Sequence, residues 1–433
     1  MGVGEFWFES AIPFSYWIGV VLIVIIAVML IPRLSDARYR IVFVFSSVLL
    51  VVSIRMVFAT VFTSVPSYEP DAALYMNILS SWVKNGVDFG IAGAYQHDYP
   101  LSFLVGFTFV KLGVSVDSFF RCAPLVIYSI QVILLYLIVS EIVPEDKRYA
   151  AISAFLLANS SIATWITVHY CPDLMGSLFF LVALLLSIRF AKKGVWSLKI
   201  LMPVLASIFL LILSHHLSTL YFIVTLFGMA VSAWFFKNPN IKGKLLSFFI
   251  LGVVTYTAWF VYGTLVYPDF FNVYVYFSGF GSATTLAQQA PLINSVAFAV
   301  YPFFILLLAL LGLFISLNVR SIKSVFKLII VFFKRLTHEK LANENMLLFY
   351  VGGFISILVL CAISIPVPVL FMPRVLEVLL VGLYPLASLA LLKFVGNNPS
   401  RNRILFVLII FILITLIDVH RYYTVEQRRV ILA

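Results

Sequence analysis

The stretch PLSFLVGFTFVKLGV, residues 100–114, decides how the whole chain is threaded through a membrane. It is almost entirely apolar, but it is short and it includes Lys111. A helix needs about 20 apolar residues to cross a hydrocarbon layer about 30 Å thick. We therefore predict that this stretch forms an interfacial or re-entrant helix and does not span the membrane.

The composition around this stretch is that of an integral membrane protein. Hydrophobic residues make up 63% of the 433 residues, charged residues only 11%, and the mean hydropathy is +1.10. A soluble domain of this length does not have such a composition. We predict an all-α polytopic membrane protein with one integral membrane domain over residues 1–433. About twelve runs are long enough to span, at residues 15–32, 41–63, 121–141, 150–168, 174–191, 199–214, 218–236, 245–266, 296–317, 345–364, 372–393 and 404–419.

The basic residues orient the predicted spans. The chain has 29 Lys and Arg against 18 Asp and Glu, a formal net charge of +11. If residues 100–114 do not cross, 21 of the 29 basic residues fall in loops on one side. If they do cross, 18 of those 21 move to the other side. Because Lys and Arg collect in cytoplasmic loops, the non-crossing arrangement is favoured.

The same distribution argues against a nucleic-acid-binding protein. The basic residues are spread over six short loops and do not form one stripe interleaved with aromatic side chains. The most basic loop, residues 318–343, is predicted to be cytoplasmic and is suited to contact anionic lipid headgroups. We expect an integral protein of the plasma membrane whose partners include membrane lipids.

Two long connections are predicted on the outer side. The first, residues 63–120, is far longer than an ordinary connection, so we expect juxtamembrane helices inside it. PDAALYMNILSSWVKNG, residues 70–86, has the apolar pattern of one such helix. The second, residues 266–295, places aromatic residues beside glycines, and Tyr274 is our candidate for stacking on a sugar. An interfacial aromatic belt would give the same pattern.

Polar side chains from several segments are predicted at the outer rim of the membrane. Charged groups at this depth are unfavourable unless paired, and they often mark a substrate path. Each also has a structural explanation: carboxylates favour a helix N-terminus, Asp173 can cap a helix, and Arg374 can pair with Glu377 at i, i+3. The candidates are Glu69 and Asp71 in SYEPDAALY, His97, Asp98 and Tyr99 in YQHDYP, Asp173 in HYCPD, His215 and His216 in SHHLS, and Arg374 in MPRVLEV.

The order of these motifs over residues 65–193 resembles the GT-C superfamily of polyprenyl-phosphate-dependent glycosyltransferases, in particular the protein O-mannosyltransferase and aminoarabinose-transferase branch. In that family, acidic residues early in the first external loop precede a juxtamembrane helix, as Glu69 and Asp71 precede residues 73–86 here. An acidic or aromatic residue before proline follows, then a glycine and an arginine near a proline. HDYPLSFLVGFTFVKLGVSVDSFFRCAP, which ends near Arg121, shows this order. Asp173 matches the family's second acidic residue, two spans later.

The resemblance implies transfer of a sugar, with inversion, from a polyprenyl-phosphate donor to a protein, glycan or lipid acceptor at the outer face. A carboxylate must take the acceptor's proton and cations must hold the phosphate. Asp71 is the candidate base, with Glu69 as its competitor, and Arg374 with His215 or His216 would hold the phosphate. His97, Asp98, Tyr99 and Arg121 belong to the substrate-binding set. Asp71 and Asp173 are candidate ligands for Mg²⁺ or Mn²⁺, and no other cofactor is expected.

Two other functions fit parts of this pattern. A transporter or flippase of lipid-linked glycans would also span the membrane many times, but such proteins usually have internal repeats and polar residues near the bilayer midplane. A polysaccharide polymerase or ligase would need a large late external loop, and only residues 266–295 are available. The polar residues collect at one rim, which favours the transferase.

Overall fold

The computed structural model describes residues 14–61, 70–87, 99–160, 170–193, 198–235, 238–266, 301–312, 346–363, 372–396 and 400–432. Within these ranges the secondary structure is helical and contains no β-strand. The predicted all-α class is therefore confirmed for the described part of the chain. The loops at 266–295 and 318–343 lie outside the described residues, apart from Val266 at the end of a helix.

The helices follow one another closely, and several begin at a proline, a residue suited to the first helical position. A short 3₁₀ helix, Ile31–Arg33, follows the first α-helix. The α-helices are α1 Phe14–Leu30, α2 Ala37–Val61, α3 Pro70–Asn85, α4 Pro100–Lys111, α5 Val116–Ile142, α6 Arg148–Ala158, α7 Pro172–Lys192, α8 Leu198–Ser214, α9 His216–Phe235, α10 Pro239–Val266, α11 Tyr301–Gly312, α12 Met346–Ile363, α13 Met372–Val395 and α14 Arg401–Leu432.

Seven described helices are long and apolar enough to cross a bilayer, which agrees with an integral membrane protein. They are Ser15–Arg33, Ala37–Met56, Val116–Ile142, Pro172–Lys192, His216–Phe235, Asn240–Tyr262 and Val378–Val395. Each coincides with one of the twelve predicted spans. The other five predicted spans fall on α6, α8, α11, α12 and α14, so the count of twelve stays a prediction.

Within the stretch PLSFLVGFTFVKLGV, the first 12 residues form α4. At about 1.5 Å per residue it is about 18 Å long, well short of the hydrocarbon thickness. The helix ends at Lys111, and Gly113, two residues later, has a φ of 101° in the left-handed region that glycine adopts readily. The prediction that this stretch is too short to span agrees with its observed length.

Helices α3 and α4 form a small second core with the start of α5 and the chain before α7. The ring centroids of Tyr75 and Phe103 are 5.9 Å apart, and the Lys111 Nζ donates to the Val83 carbonyl at 3.2 Å. Both pairs advance in the same direction, so α3 and α4 run parallel. The predicted helix at residues 70–86 is confirmed as α3, with Tyr75, Leu79 and Trp82 as its buried face.

The two ends of the central helices make different polar contacts. At one end, Arg189 of α7 pairs with Glu141 of α5 at 2.8 Å, and Lys192 donates to the Glu141 carbonyl at 2.5 Å. At the opposite end of α7, Asp173 meets the start of α9. Among the seven described spans, α7, α9 and α13 are the most enclosed, with 67% of an 18-residue stretch of each helix buried. The candidate site therefore lies where two of the most enclosed helices begin.

Candidate functional site

Asp173, His215 and Ser218 form a chain of polar contacts between α7 and α9. The Nε2 atom of His215 contacts the Oδ1 atom of Asp173, and Nδ1 lies 2.9 Å from the Ser218 hydroxyl. The backbone N–H of Ser218 also donates to the same Nδ1 atom, at 3.3 Å. His215 thus precedes the first residue of α9 and caps its first turn, so both ring nitrogens are engaged by the protein.

Gly176 allows α7 to approach α9 closely enough for this contact. A Cβ atom at position 176 would lie 2.5 Å from the His215 Cβ and 2.6 Å from the Ser218 hydroxyl oxygen. Such distances are too short for any side chain to remain where it is. The glycine one turn after Asp173 therefore brings the carboxylate within reach of the imidazole.

Tyr99, the residue before α4, contacts the two histidines at the start of α9. Its hydroxyl lies 2.7 Å from the His216 Nδ1 atom, and the two rings stack with centroids 5.4 Å apart. The Tyr99 ring also lies 5.1 Å from the His215 ring. Three residues of the predicted substrate-binding set, Tyr99, His215 and His216, are therefore in direct contact with one another.

A second pair of hydrogen bonds fastens α4 to the bundle. The buried Tyr170 hydroxyl donates to the Ser102 carbonyl at 2.7 Å, and the Ser102 hydroxyl donates to the Ser214 carbonyl at 3.4 Å. Burial, together with the nearby Cys171 thiol, raises the pKa of the Tyr170 phenol. The phenol therefore stays protonated and remains a donor at any physiological pH.

A cavity of about 30 Å³ lies beneath these contacts, between α5, α6, α7, α9 and α13. This volume has room for about two water molecules. Gln131 of α5 lines it and donates to the Leu174 carbonyl at 3.2 Å and to the Ser177 hydroxyl at 2.8 Å. The walls are mostly apolar. The lining residues are Gln131, Leu157, Asp173, Ser177, Phe180, Leu181, His215, Ser218, Tyr221, Val378 and Val381.

The contacts of α3 with α4 predict that the start of α3 lies level with this site. The contacts between α3 and α4 pair residue 75 with 103 and residue 83 with 111, an offset of 28 residues in both cases. The same offset pairs position 71 with Tyr99. Position 71 also shares the α3 face of Tyr75, four residues away, which packs on α4. We therefore expect the backbone of Asp71 to lie beside Tyr99, the residue that contacts both histidines.

Arg374 lies in the first turn of α13. Positions 374, 378 and 381 fall on one face of a helix, and Val378 and Val381 line the cavity. The backbone of Arg374 is therefore one turn outward from the cavity wall. The structure describes the helices at positions 71 and 374 but not the side chains there.

Of the remaining predicted site residues, the structure describes only Arg121. Arg121 forms an ion pair of 2.7 Å with Asp117 in the first turns of α5. Glu69, His97, Asp98 and Tyr274 lie outside the described residues, so their predicted roles stay predictions.

Most residues of the cavity were not predicted from the sequence, and Gln131 and Ser218 are two of them. Gln131 is a polar residue inside the apolar run VIYSIQVILLY, which is itself a signal of function or of interhelical bonding in a membrane. Ser218 ends the motif SHHLS, but nothing in the motif predicts that its hydroxyl meets the preceding histidine. That contact depends on the tight turn between α8 and α9.

Comparisons with known proteins do not assign the chain to a family. No protein-family model matches it, and no curated protein matches it either.

Proposed function

We propose that the protein is a membrane glycosyltransferase that transfers a sugar from a polyprenyl-phosphate donor to an acceptor at the outer face of the membrane. The acceptor oxygen attacks the anomeric carbon, a carboxylate takes the acceptor's proton, and the lipid phosphate leaves. One observation carries this proposal: the starts of α4, α7 and α9 meet at one end of the bundle, beside a cavity that α13 also lines.

The location of this convergence suits a substrate that has one end in lipid and one in water. The helices concerned include α7 and α9, which are long and apolar enough to span. Asp71, Tyr99, Asp173 and His216 all belong to their first turns or to the residues just before them. A group at that depth can reach both an acceptor in water and an anomeric carbon anchored by a lipid.

The contacts in the cluster divide the proposed roles. His215 already has partners on both ring nitrogens, Asp173 on Nε2 and Ser218 on Nδ1. We therefore assign the phosphate to Arg374 together with His216, and keep His215 as a group that positions its neighbour. Asp71 remains the candidate base, with Glu69 as its competitor.

A divalent cation fits this site only with help from the substrate. The described residues contain no group of three or more His, Cys, Asp or Glu side chains arranged to hold a metal. Asp71 and Asp173 would supply carboxylate oxygens to Mg²⁺ or Mn²⁺, and the donor's phosphate oxygens would complete the coordination. The ion would then neutralise charge on the leaving phosphate.

The test is the Asp71→Asn variant, assayed for release of polyprenyl phosphate from a polyprenyl-phosphate hexose in lipid nanodiscs. Asn keeps the shape of Asp and its hydrogen bonding at a helix start, so a purely structural role would leave turnover nearly unchanged. Loss of a general base typically lowers the rate about 10²- to 10⁴-fold. We expect a loss in that range, with binding of the donor retained.

Glu69→Gln serves as the matched variant, because it removes the neighbouring carboxylate in the same motif. Normal turnover in Asp71→Asn together with a large loss in Glu69→Gln would transfer the base role to Glu69. Normal turnover in both variants would leave the transferase without a base, and a transporter or flippase of lipid-linked glycans would then be the better explanation.

A further inference from the structure

The end of α7 carries more positive charge than the described carboxylates around it neutralise. Arg189 and Lys192 lie in its last turn and share one carboxylate, Glu141, whose oxygens lie 2.8 Å from the Arg189 Nε and 3.7 Å from the Lys192 Nζ. Lys193 follows at the end of the helix and is exposed. Among the described residues it forms no ion pair, so its charge is available to an anion from outside the protein.

Helix α8 brings a further lysine to the same end of the bundle. The residue after α8, His215, lies against the start of α7, where a Cβ atom at Gly176 would be 2.5 Å from the His215 Cβ. Helix α8 packs on α7 and its 17 residues extend about 26 Å. Its first residues therefore lie at the end of α7, and Lys199 is exposed there.

Helix α10 adds a buried cation to this end. Lys244, in its second turn, is only 4% exposed, and its Nζ lies 3.5 Å from the Ala191 carbonyl of α7 and 5.6 Å from the centre of the Phe190 ring. None of the ion pairs in the described part of the chain includes Lys244. Salt screens a buried charge much less than an exposed one, so Lys244 adds to the positive potential at the nearby surface.

An exposed apolar stripe runs along α8 from the level of Lys199. Leu198, Met202 and Phe209 are each more than half exposed. At 3.6 residues per turn, these three positions fall within about 40° of one another around the helix. A soluble anion would use only the lysines, whereas a phospholipid has a phosphate for the lysines and acyl chains for the stripe. The combination therefore fits a phospholipid best.

We propose that the end of α7 and the start of α8 bind one anionic phospholipid. Its phosphate pairs with Lys193 and Lys199, and an acyl chain lies along the apolar stripe of α8. Arg189 and Lys192 stay paired with Glu141. Anionic headgroups are concentrated in the cytoplasmic leaflet, and the distribution of basic residues predicts this end of the bundle on that side. The site lies at the opposite end of α7 from Asp173, so lipid binding here does not depend on the proposed sugar transfer.

The test is native mass spectrometry of the full-length protein released from nanodiscs of phosphatidylcholine that contain a minor share of phosphatidylglycerol. We expect the wild-type protein to retain one phosphatidylglycerol in preference to phosphatidylcholine. Lys193→Gln combined with Lys199→Gln keeps two polar side chains of similar length but removes both charges. Because each basic residue near an anionic surface raises affinity about 5-fold, the double variant should bind phosphatidylglycerol about 30-fold more weakly.

Lys393→Gln combined with Arg401→Gln is the matched control. It removes two charges from exposed positions on α13 and α14, which are predicted on the same side of the membrane. This variant should retain phosphatidylglycerol as the wild type does. Equal weakening in the two double variants would overturn the proposal, because it would show only a general attraction between basic residues and anionic lipid.

Two results for the wild-type protein would also overturn the proposal. One is equal retention of phosphatidylglycerol and phosphatidylcholine, which would show that the lysines do not select an anionic headgroup. The other is displacement of the retained lipid by glycerol 3-phosphate, which carries the phosphate without acyl chains. Displacement would identify the lysines as a site for soluble anions, whereas we expect the lipid to stay bound.

Discussion

Asp146 and Arg148 form a compact ion pair in the turn between α5 and α6, at the basic end of the bundle. The Arg148 Nη2 lies 2.6 Å from Asp146 Oδ2, and the Arg148 Nε lies 2.9 Å from Oδ1. Burial raises the pKa of the Asp146 carboxyl, but the hydrogen bonds and charge of Arg148 lower it by more. The net pKa is below the usual carboxyl value, so the folded state favours the charged form.

Asp146→Asn should therefore lower stability at neutral pH and lose this effect in acid. A depressed folded-state pKa contributes stability above the unfolded-state pKa, and that contribution disappears as the pH falls through the folded-state pKa. Because both side chains are only partly buried and water still screens the pair, we expect a loss of about 0.5 kcal/mol at pH 7. Thermal unfolding at pH 7 and at about pH 3 would measure it. Glu145→Gln, at the exposed neighbouring position, is the control, and an effect of Asp146→Asn that persists unchanged in acid would contradict this explanation.

The individual residues of the candidate site were only partly predictable. Asp173 and the two histidines stand out in the sequence because charged and polar groups are rare at the ends of apolar runs. Sequence spacing could not show that Asp173 pairs with His215 rather than with a substrate, because the pairing depends on the close approach at Gly176. The contact of Ser218 with His215 could not be predicted either, because it depends on the tight turn between α8 and α9.

Among the described helices, α9 and α12 approach each other closely, and the residues at their contact are small. The Ser356 hydroxyl of α12 donates to the Val224 carbonyl of α9 at 2.8 Å. A Cβ atom at Gly228 would lie 2.7 Å from the Gly352 carbonyl oxygen and 2.5 Å from the Ser356 hydroxyl oxygen. In a membrane, where lipid is as apolar as the side chains, such close backbone approach is a main source of helix association.

Gly228→Ala is expected to force α9 and α12 apart. Overpacking of a well-packed interior lowers stability by about 1 to 3 kcal/mol, although alanine is the better helix former. The measurement is the thermal unfolding temperature in nanodiscs. Gly19→Ala is the control, because nothing lies within 4 Å of a Cβ atom there. Equal unfolding temperatures for the two variants would show that the interface between α9 and α12 is looser than described.

The sequence predicted well which helices form, but it predicted poorly which face of each helix is buried. Apolar runs and prolines predicted α3, α4 and α7 within a few residues. The buried face of α3 contains Tyr75, Leu79 and Trp82, because this side of the helix packs on α4 and α5. Periodicity alone does not indicate which neighbour a face meets, so it could not predict the parallel packing of α3 and α4.

For the molecule as a whole, the distribution of basic residues and the length of α4 favour the same membrane topology. The count of basic residues favours a chain in which residues 100–114 do not cross, and α4 is too short to cross. The contacts of Glu141 with Arg189 and Lys192 gather basic residues at the end opposite the candidate site. We propose that this basic end faces the cytoplasm and that the site faces outward.

The most direct test of the account is the distance between the Asp71 and Asp173 carboxyl groups in an experimental structure of the protein in a lipid bilayer. The packing of α3 on α4, and of Tyr99 on the two histidines, predicts that the two carboxyls face one site. We expect a separation on the order of 4 to 8 Å, within reach of one bridging ion or water molecule. A separation of more than roughly 20 Å, about two helix diameters, would contradict the account.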